Sequence, residues 1–581
     1  MRTPYRIVES LADIIAQCDS ALPLFVDTET VGLYGKARLL QVYQSSWPTV
    51  LILEWPSEFQ VLSMLTARKG HFYNAHYDLT CYQQNSGMKQ TIPEFECLFL
   101  LARLSFPEQE NFSLDDSLAL VLGFDPYQKQ GLNKAAMQAS NWSRNALTDD
   151  QYVYAATDVF YMPQLWDNVC GKIDDISYQL DKFTLKYCLQ FQWHGMPVDY
   201  ERMMSQHALN AQAIHDAAVP INVNSYVQVR KYLNCTSSDD LALAKMALSG
   251  DEKALKVRKV RKLRKQNSFL DKFIETAKES GRIFGKFKPS ARSGRLTSDD
   301  QNLQQLPRAL KKMFGIRKGE GRVILFADYA QLELRTVCAI TACHLMADLF
   351  RKGIDLHKYT AEFLFGPTDD PVLAKKRRQV AKGCNFLLVY GGGIPMFVSV
   401  LISQMSILLE EAEATRLRAR WRKLWKEIYG WQEAGIQAWK KGKLGSTPLG
   451  RRYSAKMMTD QLNIENQGAG AEVAKLALHY FMRDKFSKYP EEWNVLLCDF
   501  IHDSYIIEAP DNEAIYSVIA KDLAECMQLA WFEMSKCFKI KDLPMPVNVS
   551  VGYNWGDIED ENIPNLYSFN LEPLAMYGVQ P

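Results

Sequence analysis

The chain has 581 residues, a formal net charge of +1 and 47% hydrophobic residues. It is too long for a single hydrophobic core, so we expect about two to four domains. Because the net charge is close to zero, any binding of a polyanion must come from local clusters of Lys and Arg. The 12 cysteines include no Cys-x-x-Cys pair and no Cys/His spacing that suits zinc. This pattern indicates reduced thiols and no disulfide framework.

The N-terminal segment MRTPYRIVESLADII lacks the apolar stretch of a signal peptide and carries acidic residues, which transit peptides avoid. It predicts a cytoplasmic protein. An uncharged run from Cys384 to Leu409 is long enough to span a bilayer. Glycines and Pro395 interrupt this run, so it favours two buried helices joined by a turn, and we expect no membrane association.

Residues 1–175 alternate apolar strands with helical stretches, as in LPLFVDTET, TVLILEW and GHFYNAHYD, and predict an α/β domain. From residue 176 the periodicity becomes helical, and LKYCLQFQWHGMPVD predicts a helix that Gly195 and Pro197 terminate. The segment 253–265, KALKVRKVRKLRK, predicts a basic helix. Its expected apolar face consists of Leu255, Val257, Val260 and Leu263, and taken alone the pattern is typical of a solvated helix. The residues after Glu561 predict an irregular tail.

Three short acidic motifs lie within the first domain. They are Asp27 and Glu29 in LPLFVDTETVGL, Asn74 and Asp78 in FYNAHYDLTCY, and Tyr154 and Asp158 in VYAATDVFY. A spacing of two places carboxylates on one face of a strand, and a spacing of four places side chains on one side of a helix. Oxygen-rich sites without Cys or His favour Mg²⁺ or Mn²⁺ over zinc.

Together these motifs resemble D-x-E, N-x-x-x-D and Y-x-x-x-D of the DEDDy-type 3′–5′ proofreading exonucleases. The resemblance covers residues 1–175 and implies an RNase H-like α/β fold. By this resemblance Asp27, Glu29, Asp78 and Asp158 would hold two divalent metals. Tyr154 would act in catalysis by orienting the attacking water.

A second set of acidic residues follows much later in the chain. RVILFADYAQLELR predicts a strand that ends at Asp328, followed by a helix near Gln331. NVLLCDFIHDSYIIEA predicts two strands that meet in a hairpin at Asp503. In isolation the hairpin tip would favour a plain Asp-Ser turn.

The segment RRQVAKGCNFLLVYG lies between these acids and has a residue of interest at every fourth position. The four are Arg378, Lys382, Phe386 and Tyr390. On a helix they would form one stripe of two cations followed by two aromatic rings. Cations suit phosphates and rings suit a sugar and base, so the stripe predicts a nucleoside triphosphate site.

DYAQLELR, RRQVAKGCNFLLVYG and IHDS resemble motifs A, B and C of family A DNA polymerases, the DNA polymerase I class. SGRLTSDDQNLQQLPR, TPLGRRY, NIENQGAGAEVAK and NVSVGYNWGDI resemble further family segments in the expected order, so the likeness covers residues 185–560. It implies a right-hand polymerase domain at 176–581. The expected limits are thumb 200–290, palm 291–340 and 456–560, fingers 341–455 and tail 561–581.

The resemblance also implies roles for individual residues. Asp328, Asp503 and the carbonyl of Tyr329 would bind two Mg²⁺, with Mn²⁺ as a substitute, and Asp328, Asp503 and Lys382 would be catalytic. The nucleotide-binding residues would be Arg378, Lys382, Phe386, Tyr390, Glu333 and His357, with Glu333 excluding a ribose 2′-hydroxyl. DNA would contact Arg295, Gln304, Gln467, His502, Lys256, Arg258 and Lys259.

Ser504 departs from the family pattern, in which an acid follows the Asp of motif C, and predicts weaker metal affinity or slower turnover. The leading hypothesis is a proofreading DNA polymerase of phage type, in the host cytoplasm, acting as a monomer on primer-template DNA and deoxynucleoside triphosphates (dNTPs). Helicase and primase are the candidate protein partners. Two alternatives are a 3′–5′ exonuclease with an impaired polymerase site and a non-catalytic primer-template binding module.

Overall fold

The computed structural model describes residues 2–87, 92–299, 301–560 and 562–571. The chain divides into two compact units. The first unit consists of Met1–Trp193, Phe287–Ala291 and Gly450–Ser454, and the second of His194–Lys286, Arg292–Leu449 and Ala455–Pro581. The expected domain boundary at 175 and the thumb, palm and fingers limits stay predictions.

The first unit is built on one mixed sheet of six strands. These are β1 (Tyr5–Val8), β2 (Leu24–Thr30), β3 (Ala37–Tyr43), β4 (Val50–Glu54), β5 (Gly70–Phe72) and β6 (Phe95–Cys97). Their order is β1-β4-β3-β2-β5-β6. β2 pairs antiparallel with β3 and parallel with β5. Every residue of β3 is buried, so the sheet centre lies in the apolar core of this unit.

Nine α-helices accompany the six-stranded sheet within the described residues. They are α1 (Leu11–Ile15), α2 (Glu58–Ala67), α3 (Ala75–Ser86), α4 (Leu98–Ser105), α5 (Leu114–Leu122), α6 (Lys134–Gln138), α7 (Asp149–Phe160), α8 (Met162–Val169) and α9 (Ile176–His194). α7 begins with a capping box in which Thr148 and Gln151 satisfy each other's backbone N–H groups. α7 packs against β2 and β3. The predicted α/β architecture of the first domain is confirmed.

The remaining strands follow residue 195. They are β7 (Met196–Pro197), β8 (Arg282–Ile283), β9 (Lys286–Lys288), β10 (Thr297–Asp299), β11 (Arg322–Tyr329), β12 (Gly445–Ser446), β13 (Arg452–Tyr453), β14 (Leu496–Ile501), β15 (Ser504–Pro510), β16 (Val547–Gly552) and β17 (Tyr567–Leu571). Five of them form the main sheet of the second unit, in the antiparallel order β14-β15-β11-β16-β17. Ala327 of β11 is paired with Tyr505 of β15. The ends of these strands therefore bring Asp328 close to the β14–β15 hairpin.

Helices make up most of the rest of the second unit. They are α10 (Tyr200–Asp216), α11 (Tyr226–Leu233), α12 (Asp240–Leu248), α13 (Glu252–Ser280), α14 (Leu332–Thr341), α15 (His344–Arg351), α16 (Leu356–Phe365), α17 (Pro371–Leu387), α18 (Ile394–Met405), α19 (Glu411–Leu424), α20 (Lys426–Lys440), α21 (Met458–Tyr480), α22 (Glu513–Ser535) and α23 (Trp555–Ile558). α22 packs against α21 and lies over β11, β15, β16 and β17. One face of the sheet is thus covered by helices.

Two local predictions need correction. The buried face of α13 is formed by Ala254, Val257 and Val260, whereas Leu255 is 56% exposed, because α13 packs against α10 and α12 along that line. Strand β17 occupies part of the tail that we expected to be irregular, since it pairs with β16. Residues 572–581 lie outside the described residues.

The uncharged run does form two helices, α17 and α18, separated by a turn as predicted. None of the helices in the described residues has the length and apolar character that a bilayer span requires.

Candidate active sites

A cluster of acidic side chains lies at one end of the first unit's sheet. Asp27 and Glu29 lie on β2, and α7 brings Asp158 to them. Ligand oxygens of these three carboxylates lie within 4.8 Å of one another. Asp78, in the first turn of α3, lines the same cleft, and one of its carboxylate oxygens has no hydrogen-bond partner among the described residues. The structure therefore brings together the four acids that the sequence singles out.

The carboxyl groups of this cluster have raised pKa values, because they are close together and shielded from water. Burial raises the pKa of Asp27 to about 6. Burial and repulsion from neighbouring carboxylates raise the pKa values of Glu29, Asp78 and Asp158. Such a set is unfavourable until cations neutralise it. The close carboxylate oxygens of Asp27, Glu29 and Asp158, with Asp78 beside them in the cleft, fit hard divalent cations.

Tyr154 lies one turn before Asp158 on α7 and is only 3% exposed. It lines the cleft, which has a volume of about 770 Å³. Burial raises the pKa of Tyr154 far above its usual range, so its hydroxyl stays protonated. The motif spacing predicted the position of this residue.

Two residues of this site were not predicted from the sequence. The hydroxyl of the buried Tyr127 donates a hydrogen bond to Asp158, and Lys134 lines the cleft. Both belong to the segment between α5 and α7, which carries no recognisable motif. A connection such as DPYQKQGLNK gives no periodic signal that would place its side chains against a distant strand.

The second acidic pair lies at one end of β11 and β15, which are neighbouring inner strands of the five-stranded sheet. Asp328 is near the end of β11, and Asp503 lies in the predicted β14–β15 hairpin, in the turn that His502 enters with φ +59°. Ser504, which is 7% exposed, donates a hydrogen bond of 2.6 Å from Oγ to Oδ1 of Asp328. Burial, together with repulsion from Asp328, raises the pKa of Asp503 to about 7. These two half-buried carboxylates lie close together.

A hydrogen-bonded network surrounds Glu333, in the first turn of α14. Its carboxylate accepts from the guanidinium of Arg295 and the hydroxyl of Tyr390. Asn466 of α21 donates to the Tyr390 hydroxyl at 3.1 Å and to the Glu333 carbonyl at 3.0 Å. Asn466 is a further residue that the sequence analysis missed, since it predicted the neighbouring Gln467. Gln467 is half-buried on the same helix.

The predicted stripe is present on α17 except at its last position. Arg378, Lys382 and Phe386 lie on the helix, with the Lys382 ammonium 6.0 Å from the Phe386 ring centre. The predicted helical position was wrong for Tyr390, because α17 ends at Leu387 and Gly391 then takes a left-handed φ of +69°. Nucleotide binding by Tyr390 stays a prediction.

Asp355 and His357, at the start of α16, contact α17 at two different points along its length. Asp355, the N-cap of α16, forms an ion pair of 2.8 Å with Arg378. His357 is buried against Phe386 and hydrogen-bonds Asn385 at 3.1 Å. Burial lowers the pKa of His357 to about 4, so this ring is neutral near pH 7.

The predicted DNA contacts are spread over the second unit. Gln304 is half-buried and donates to the Phe500 carbonyl at 3.4 Å, and His502 is exposed. On α13 Lys256 and Lys259 are exposed. Arg258 instead pairs with Asp240 at 3.1 Å and donates to the Ser403 carbonyl at 3.2 Å, so its guanidinium already has structural partners.

Two family models match this chain and together define its class of protein. The family model described as "3'-5' exonuclease" matches residues 5–174, and the model described as "DNA polymerase family A" matches residues 200–557. The order is that of an exonuclease domain followed by a polymerase domain. The chain belongs to DNA polymerase family A, and as an enzyme it is a DNA-directed DNA polymerase with a 3′–5′ exonuclease domain.

Two relatives similar to this chain over much of its length are named DNA polymerase I. The Aquifex aeolicus protein is 26% identical, over 94% of this chain and 98% of its own length. The Bacillus subtilis protein is 27% identical over 62% of this chain, which spans less than half, 44%, of that relative. These relatives are bacterial, and the phage-type assignment stays a prediction.

A solved structure with the same fold is the POL domain of Pol1 from M. smegmatis, in complex with DNA primer-template and dNTP. It matches with a TM-score of 0.73 and 19% identity, over 95% of this chain and 99% of that one.

Proposed function

We propose that this protein extends primer 3′ ends on template DNA with dNTPs and removes 3′-terminal nucleotides at a separate site. The observation that carries the proposal is the presence of two separate groups of converging, partly buried carboxylates, one in each compact unit. The complex of the M. smegmatis structure with primer-template and dNTP supports the same ligands. Helicase and primase partners and a monomeric state stay predictions.

Both clusters fit divalent cations, and Mg²⁺ is our proposal for the ion. Asp27, Glu29, Asp78 and Asp158 would hold it in the first unit. Asp328, Asp503 and the Tyr329 carbonyl would hold it in the second unit. The chemistry that such cations supply is neutralisation of charge on the attacking and leaving oxygens of a phosphodiester. In the first unit Tyr154, protonated and buried beside the acids, would orient the attacking water.

In the second unit the residues of α17 would bind the incoming nucleotide. Arg378 and Lys382 would contact its phosphates, because guanidinium and ammonium groups form strong charge-assisted hydrogen bonds with phosphate oxygens. Phe386 would cover the sugar and base. Lys382, exposed on the helix, is also the proposed proton donor to the leaving pyrophosphate.

The hydrogen-bonded network around Glu333 would discriminate between deoxyribose and ribose in the incoming nucleotide. Arg295 and Tyr390 hold the Glu333 carboxylate from two sides, so a ribose 2′-hydroxyl would meet a fixed group. His357 would support Phe386 through ring contact, at a centre-to-centre distance of 5.7 Å. The remaining proposed contacts are to DNA, from Arg295, Gln304, Gln467, His502, Lys256, Arg258 and Lys259.

Primer extension tests the polymerase proposal. The variant Asp27→Ala/Glu29→Ala removes cutting from the readout, and a recessed primer-template with Mg²⁺ and four dNTPs should then be extended to full length. The additional change Asp503→Ala should abolish extension. If the exonuclease-deficient variant does not extend the primer while the unmodified protein shortens 3′ ends, the alternative of an exonuclease with an impaired polymerase site is correct.

A further inference from the structure

Lys134 is a cation inside the acidic cleft of the first unit. It is the first residue of α6 and lines the cleft together with the metal-site acids. Its side chain is 17% exposed, so the ammonium is held at the cleft wall and does not extend freely into solvent. Neither the family motifs nor the chemistry described above uses this residue.

Two contacts fix the Lys134 ammonium. Its Nζ donates a hydrogen bond of 2.6 Å to Oδ1 of Asp115 on α5. It also lies 5.1 Å from the ring centre of Tyr127, whose hydroxyl donates to Asp158. A lysine side chain loses considerable rotamer freedom when it binds a ligand. Because these contacts already restrict the Lys134 side chain, less conformational entropy is lost on binding. Since an ammonium has three donors, Asp115 leaves two for a ligand.

The charge of Lys134 reaches the carboxylates that surround the reacting phosphodiester. Burial raises the pKa values of Asp27, Glu29 and Asp158, and the nearby positive charge of Lys134 acts in the opposite direction on all three. Although burial opposes it, the hydrogen bond from Lys134 also keeps the pKa of Asp115 below its usual value. A phosphate bound among these acids would therefore lie within the field of the ammonium.

We propose that Lys134 is a substrate-binding residue of the exonuclease site and contacts a non-bridging oxygen of the 3′-terminal phosphodiester. The assignment rests on the exonuclease function proposed above. The alternative is a structural ion pair with Asp115. A purely structural role would not require the ammonium to face the cleft among the metal-site acids.

Binding of a single-stranded oligodeoxynucleotide, measured by fluorescence anisotropy with Ca²⁺ to prevent cleavage, tests this proposal. Lys134→Met should weaken binding about 10- to 100-fold, the range for loss of a charged hydrogen bond, and Lys134→Arg should retain most of it. The matched control is Lys129→Met. Lys129 is exposed, lies 3.8 Å from the Phe124 ring centre and does not line the cleft. Primer extension by each variant should equal that of the unmodified protein, which reports correct folding.

A second substrate isolates the contact with the phosphate. An oligodeoxynucleotide with a neutral methylphosphonate as its 3′-terminal linkage should bind to Lys134→Met and to unmodified protein with similar affinity. The proposal is overturned if Lys134→Met binds the ordinary oligonucleotide normally, or if Lys129→Met loses as much affinity. It is also overturned if Lys134→Met changes only the Mg²⁺ concentration needed for cleavage, because the charge would then act on the metal. Failure of the unmodified protein to shorten 3′ ends would refute the exonuclease function itself, and the assignment with it.

Discussion

Ser504 should position the catalytic carboxylate of Asp328, and Ser504→Ala tests this role. The hydroxyl is buried and donates to Asp328 over 2.6 Å. Burial raises the pKa of Asp328, and this hydrogen bond opposes the rise. Removing the hydroxyl leaves a half-buried carboxylate with one donor fewer, which makes its ionised, metal-binding form less favourable.

The expected size of the effect follows from the geometry. A hydrogen bond to a charged group contributes about 1.5–3 kcal/mol, and its short length places this one among the stronger charge-assisted bonds. If the whole contribution acts on metal binding, the Mg²⁺ concentration for half-maximal extension rises about 10- to 100-fold, since about 1.4 kcal/mol corresponds to a factor of ten.

The assay is single-nucleotide extension over a Mg²⁺ titration in the Asp27→Ala/Glu29→Ala background. Ser504→Thr keeps the hydroxyl and should stay near the unmodified value. Ser550→Ala on β16 removes a hydroxyl from the same sheet and serves as the control. An unchanged Mg²⁺ requirement in Ser504→Ala would refute the positioning role.

Three further results are expected. Asp27→Asn should stabilise the metal-free protein in a thermal melt, because the raised pKa of Asp27 means that stability is lost as the pH rises through about 6. Mg²⁺ at 100 times its Kd should stabilise the unmodified protein against unfolding by about 2.7 kcal/mol, and Asp27→Asn should lose most of this gain. An equal rise in melting temperature on adding Mg²⁺ to both proteins would contradict the metal site. Asp499 is fully buried, one of its oxygens has no hydrogen-bond partner in the part of the chain that the structure describes, and burial raises its pKa to about 8, so it favours its neutral form. Between pH 7 and 9 the unmodified protein should therefore lose about 1.4 kcal/mol of unfolding free energy relative to Asp499→Asn, and parallel denaturation profiles would argue against this. Lys256→Ala/Lys259→Ala should lower the slope of log Kd for duplex DNA against log salt by about 1.8, or 0.9 per phosphate contact; an unchanged slope would remove α13 from the DNA interface.

Local patterns were sufficient to predict the parts of both sites that lie on regular elements. The spacing of Asp27 and Glu29 fixes them to one face of β2, and the four-residue spacing of Tyr154 and Asp158 fixes them to one side of α7. The hairpin at Asp503 followed from two β-rich runs that meet at a turn. In each case a short-range period determines the geometry.

Contacts that depend on tertiary packing could not be predicted. Lys134 and Tyr127 reach the acids from a connecting segment, and Asn466 reaches Glu333 from a helix more than a hundred residues away in the chain. Continuing the period of α17 failed at Tyr390, because three glycines follow it and the helix ends first. The spacing of the apolar residues in α13 predicted a buried face that includes Leu255, whereas packing against α10 and α12 buries Ala254 instead.

The most direct test of two separate active sites on one chain is idling turnover. A matched primer-template is supplied with Mg²⁺ and only the next correct dNTP, labelled on the α-phosphate, and release of labelled dNMP is followed. The unmodified protein should convert dNTP steadily to dNMP through repeated addition and removal. Asp27→Ala/Glu29→Ala should incorporate the label without releasing dNMP, and Asp503→Ala should shorten the primer without incorporating label. Continued dNMP release by Asp27→Ala/Glu29→Ala, or label incorporation by Asp503→Ala, would contradict the assignment of one reaction to each unit.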